Sequence, residues 1–160
     1  SGNSYAGITD TTTLSFTTED NVAPYLNISS PADNDTSIAV DSNIVLTFSE
    51  AVEIASGYVF LYSALDNLIV EVIEVTSSQV TGSGTNQITI NPKVTLASET
   101  EYYLEINKTA FNDTSGNFYA GITDTTTLSF TTASKLTTIE ETATEGTTTE
   151  TTSCKCRRPI

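Results

Sequence analysis

The segment SGNSYAGITDTTTLSFTT at residues 1–18 returns as SGNFYAGITDTTTLSFTT at residues 115–132, with Ser4 replaced by Phe118 as the one difference. The two copies lie 114 residues apart. A self-similar period of this length is the mark of a tandem array of small domains. The repeated unit must therefore close on itself within that period and end on a segment that can recur. Four blocks follow. Residues 1–18 read as the C-terminal strand remnant of a preceding repeat, and residues 19–24 (EDNVAP) as a linker. Residues 22–132 read as one whole repeat, and residues 133–160 as a tail of different character. Arrays of near-identical domains serve length, spacing and adhesion far more often than catalysis.

Inside the repeat the apolar pattern has a period of two. Ile44, Leu46 and Phe48 alternate with Val45 and Thr47, and Tyr102, Leu104 and Ile106 alternate with Tyr103 and Glu105. Leu128 and Phe130 stand between threonines. Further β-favouring runs are PYLNIS (24–29), YVFLYS (58–63), LIVEVIEV (68–75) and QITI (87–90). Such alternation, rich in β-branched and aromatic residues, predicts half-buried strands. Turn-forming residues punctuate the runs at Ser30-Pro31, Asp33-Asn34-Asp35, Asp66-Asn67, Gly82-Ser83-Gly84 and Ser115-Gly116-Asn117. No helical period of useful length occurs. About seven short strands at this spacing predict an all-β antiparallel sandwich with both inner faces apolar.

Three phrases carry a family resemblance. SPADNDTSIAVDSNIVLTFSEAV (30–52), LASETEYYLEINKTAFNDTSGNFYAGI (96–122) and LSFTT (128–132) resemble the bacterial Ig-like domain of S-layer proteins of the SbsA type. The resemblance covers the whole repeat. It implies an immunoglobulin-like sandwich of about seven strands, used as a structural module outside the cell, with no catalytic activity of its own. Within it, LASETEYYLEI resembles the turn into the sixth strand of such sandwiches. There a tyrosine packs inward while its hydroxyl bonds back to the corner backbone, a role that falls here to Tyr102.

Charge narrows the partners. Residues 1–153 hold 20 acidic groups against Lys93, Lys108 and Lys135, a net of −17. Such a surface repels nucleic acid and anionic lipid and suits divalent cations. No apolar run reaches the ~20 residues that span a bilayer, so no membrane insertion is expected in this stretch. The chain has no histidine, which removes the commonest general base and the commonest zinc ligand. The sequence therefore predicts a non-enzyme.

Calcium is the sharper chemistry. Ca²⁺ takes six to eight hard oxygens from carboxylates, amides and loop carbonyls. Candidates are Asp20 in the linker, Asp33 and Asp35 in the first loop, and Asp113 and Asn117 before the last strand. These clusters need not form one site. The turn around Asp113 and Gly116 also has a purely structural reading, an Asx turn closed by a left-handed glycine. The expected partners are neighbouring Ig-like repeats of the same chain, with a surface glycan or host cell surface as a further target. Extracellular or cell-surface placement follows from the resemblance. Two other functions stay open, a carbohydrate-binding module and an accessory module of a secreted hydrolase. For the first, Tyr58, Tyr62, Tyr103 and Tyr119 are candidates for a sugar platform.

The ends hold two more expectations. Residues 134–152 contain nine threonines and four glutamates, too little apolar surface to offset the entropy of ordering, so the tail is predicted disordered. Residues 1–18 are either a frayed terminus or a strand whose Leu14 and Phe16 compete for the slot of Leu128 and Phe130.

Overall fold

The computed structural model describes residues 1–135. The expectation for the tail lies, beyond Lys135, outside the described residues. Ten strands and no helix are present among those described. They are β1 (Leu26–Ser30), β2 (Asp35–Ile38), β3 (Ile44–Ile54), β4 (Tyr58–Ser63) and β5 (Ile69–Glu74), followed by β6 (Val80–Thr81), β7 (Thr85–Ile90), β8 (Glu101–Ile106), β9 (Phe111–Asn112) and β10 (Ser129–Thr132).

They form two sheets. One runs β1-β3-β7-β6, with β9 added to the end of β3, and the other runs β2-β10-β8-β4-β5. Every pairing is antiparallel except β2 with β10, which is parallel. The first strand thus pairs with one sheet through β1, kinks at the cis Ser30–Pro31 peptide, and joins the other through β2. This is the immunoglobulin-like sandwich that the alternating pattern and the resemblance imply.

Ile44, Leu46 and Phe48 of β3 face Val59, Leu61, Leu104 and Ile106 of the opposite sheet in one continuous apolar core. Its end is closed by aromatic contacts, with Phe48 5.5 Å from Phe111 and edge-on to Tyr119 at 5.1 Å. The Ala97 N–H donates to the Tyr102 hydroxyl at 2.9 Å, the corner bond expected from the sequence.

Three strands escaped the sequence pattern because they are two to four residues long. The strand predicted around Leu128 and Phe130 begins only at Ser129, without the threonines before Leu128. The cause is Asp124, whose carboxylate accepts the backbone N–H groups of Thr126 and Thr127 at 2.9 and 2.8 Å and so holds those threonines in a turn. β3, by contrast, runs on to Ile54 through an irregular stretch between Thr47 and Val52.

Candidate metal centre

That irregularity in β3 builds one pole of the domain. Thr47 pairs with Gln87 and Val52 with Thr85, so five steps along β3 match two along β7. Extra residues in a strand bend it and re-aim its side chains. Here the bulge does two things. Ser49 grips the incoming linker, its N–H donating to the Tyr25 carbonyl at 2.9 Å while its hydroxyl accepts the Tyr25 N–H at 3.1 Å. Glu50, next in the chain, is turned toward the same pole, where it meets Asp20 and Asp113.

The second component follows β9. Asp113 is buried and closes a tight turn. One carboxylate oxygen accepts the N–H groups of Ser115 and Asn117 at 2.9 and 2.8 Å. The other accepts from the Asn117 side-chain amide at 2.8 Å. Gly116 supplies the left-handed backbone the turn needs, at φ 91°. The Asn117 amide also donates to the carbonyls of Asp20 and Val22, at 3.0 and 3.5 Å. The linker is thereby pinned onto the pole from two sides, by β3 and by the Asp113 turn.

The result is a group of three carboxylates. One oxygen each from Asp20, Glu50 and Asp113 lies within 4.8 Å of the others. Like charges so close raise one another's proton affinity, and the Glu50 carboxyl is pushed up by burial, by Asp113 and by Asp20. Asp113 goes the other way. Burial pushes it up, but hydrogen bonds from the Asn117 side chain and from the Asn117, Ser115 and Gly116 backbones outweigh that and leave it lowered. Asp113 is thus held as an anion and Glu50 is left bearing the repulsion. The donor set is all oxygen, with no thiol or imidazole, which suits a hard cation such as Ca²⁺ better than a softer metal.

Of the residues singled out from sequence, the structure brings Asp20, Asp113 and Asn117 together. Asp33 and Asp35 lie elsewhere and are engaged in the β1–β2 connection. Asp33 accepts the Ser129 N–H and hydroxyl at 2.9 and 3.1 Å, and Asp35 accepts the Ala32 N–H at 2.8 Å. The Asp33 carboxylate ties the first loop to β10, and the Asp35 carboxylate closes that loop on itself. Glu50 was missed because it sits inside what reads as the far end of an ordinary strand. Only the β3 bulge, invisible to a period-two pattern, turns it toward Asp20.

The four tyrosines do not form one platform. Tyr119 is a core residue packed edge-on to Phe48, its N–H donating to the Phe111 carbonyl at 2.9 Å. Tyr62 and Tyr103 are stacked on each other at 4.8 Å, with their planes only 5° apart, so each covers a face of the other. Of the set, Tyr58 alone is exposed. No helix among the described residues is long and apolar enough to cross a membrane.

Residues 20–132 match the family model described as bacterial Ig-like domain. No curated protein sequence matches the chain. Among solved structures, the fold is similar to CopC from Methylosinus trichosporium OB3b, at 17% identity and a TM-score of 0.49, over 69% of this chain and 93% of that one. It is also similar to the S-layer protein rSbsC(31-844), at 15% identity and a TM-score of 0.47, over 70% of this chain and 14% of that one.

Proposed function

The chain belongs to the bacterial Ig-like domain family, and from that premise we propose that it is a non-catalytic spacer module of a tandem-repeat surface protein, with a joint stiffened by Ca²⁺. The single observation that supports this best is the pinned linker. Thr18 has its twin in Thr132, the last residue of β10. Only Glu19 stands between Thr18 and Asp20, and Asp20 is held at the carboxylate pole. Each residue spans at most about 3.6 Å, so a preceding repeat ends within roughly 7 Å of Asp20. Two successive repeats must then abut at this pole, with Asp20, Glu50 and Asp113 in the seam.

A divalent cation suits such a seam. It replaces mutual repulsion of the carboxylates by shared attraction and locks the linker to the domain. The tail and the partner beyond neighbouring repeats belong to the same reading, in which the module sits outside the cell and its acidic surface keeps it soluble.

The test is thermal unfolding of the full chain in EDTA, in millimolar Ca²⁺ and in Mg²⁺, together with Glu-specific proteolysis at Glu19. A ligand of the native state raises stability by about 2.7 kcal/mol at a hundred times its Kd. The expected result is a calcium-specific rise in midpoint and protection of Glu19, both lost in Asp20→Asn. No rise and no protection would reject a cation-stiffened joint.

A further inference from the structure

The geometry points to strand exchange between copies of this chain, with residues 1–18 of one molecule occupying the β10 slot of another. In the closing segment, the side chains that the sandwich buries are Tyr119, Ile122, Leu128, Ser129, Phe130 and Thr132. At the 114-residue offset their twins are Tyr5, Ile8, Leu14, Ser15, Phe16 and Thr18, identical at every position. The one difference between the copies, Ser4 for Phe118, falls on a side chain that stays exposed. Nothing the slot reads therefore distinguishes one segment from the other.

The first copy is also shaped for the slot before it enters. Asp10 accepts the N–H groups of Thr12 and Thr13 at 2.9 and 2.6 Å, along with both their hydroxyls. Asp124 makes the same four bonds to Thr126 and Thr127. Gly7 and Gly121 share φ at +80°. At Gly121 that backbone is required, because a Cβ there would lie 2.4 Å from the Ile106 carbonyl oxygen. At Gly7 nothing lies within 4 Å, so the glycine answers to no contact in its own surroundings. Preorganisation of this kind lowers the entropic cost of docking.

What either segment offers the slot is apolar surface. Leu14 and Phe16 are 72% and 86% exposed, whereas Leu128 and Phe130 are 1% and 2% exposed. A reciprocal exchange buries one closing segment per chain and leaves one outside, as in the monomer. The contacts balance, so concentration decides between the forms. β10 is the last strand among the described residues, so within them no later strand has to be rebuilt around the exchange.

The experiment is refolding of the full chain from denaturant, dilute and concentrated, with reductant present to keep Cys154 and Cys156 from linking chains. Mass is then read by light scattering after size exclusion. A fluorescent synthetic peptide of residues 1–18 is added in parallel refolding runs. The expected result is a dimer fraction that grows with concentration and peptide that elutes with the protein. The variant Leu14→Asp/Phe16→Asp should be at least tenfold poorer in dimer with an unchanged monomer melting midpoint, and the peptide carrying the same changes should not be retained. A wild-type chain that stays monomeric at all concentrations and retains no peptide overturns the proposal. So does a dimer that persists in Leu14→Asp/Phe16→Asp, because association would then use another surface.

Discussion

Replacing Leu128 by alanine probes the β10 slot and its twin together. Leu128 is enclosed in the core, and its carbonyl accepts the Leu104 N–H at 3.1 Å. Trimming a buried leucine to a methyl group costs about 2.7–5 kcal/mol, the transfer term plus the cavity it leaves. The backbone bond survives the substitution, so about 3 kcal/mol is the expected loss. The same change at Leu14 has identical flanking residues from Gly7 to Thr18 and no burial. It should cost under about 0.5 kcal/mol, as exposed substitutions do. Sequence context cancels between the two variants, and burial is what remains.

A second effect follows from the same number. With Leu128→Ala, residues 1–18 become the better occupant of the slot by about 3 kcal/mol. At 1.4 kcal/mol per tenfold, that is a preference of about a hundredfold. The assay is urea unfolding at micromolar concentration, then light scattering at high concentration. For a domain of this size 1 kcal/mol lowers the melting midpoint by about 3–6 °C, so the single variant should melt about 9–18 °C low when dilute. When concentrated it should exceed wild type in exchanged dimer, and the double variant Leu14→Ala/Leu128→Ala should lose that excess. Equal stability losses at Leu14 and Leu128 would refute the assignment of core and surface. An excess of dimer that survives in the double variant would refute the link between slot and twin.

Two other outcomes are expected. Tyr102→Phe keeps the ring in the core but leaves the Ala97 N–H without its acceptor, at a cost of about 1–3 kcal/mol, read as a lower urea midpoint with unchanged slope. Glu50→Gln should raise the melting midpoint at neutral pH in EDTA and abolish the calcium-dependent rise. The folded Glu50 carboxyl is raised above its unfolded value, so the folded state binds the proton more tightly and loses stability as pH climbs through that window. The advantage of Glu50→Gln in EDTA should therefore shrink as pH falls below the window, and melting across pH 4–8 checks the sign.

The strands that alternate cleanly were legible in the sequence because burial on one face imposes a period of two. β4 coincides with its predicted run to the residue, and β8 contains the whole alternating set from Tyr102 to Ile106. β2 has no strand signal of its own, and its first residue, Asp35, belongs to the predicted turn, since DTSI carries a single apolar side chain and its strand geometry comes from pairing with β10. The candidate site divides the same way. Asp20, Asp113 and Asn117 were legible because oxygen-rich loops advertise themselves. Glu50 was not, because its position depends on a bulge defined by the β7 register. Asp33 and Asp35 stand apart from that group in the β1–β2 corner, a separation that loop composition alone does not reveal. Tyr119 shows the limit for aromatics, since nothing local separates an outward tyrosine from one that caps a core.

The parallel pairing of β2 with β10 sets how the domain answers a pull on its ends. The chain enters on the N-terminal side of β2 and leaves from the C-terminal end of β10. Phe130 stands beside Asp35 and Thr132 beside Ile38, with backbone bonds at Asn34–Ser129 and Ala133–Ile38 of 2.8 and 2.7 Å framing the pair. Tension drags the two strands in opposite directions along their common axis. The bonds are then loaded side by side in shear and must give way together, whereas an antiparallel hairpin pulled at its open end would unzip one rung at a time. Stretched end to end, the module resists as a clasp does, holding its length until that short pairing yields.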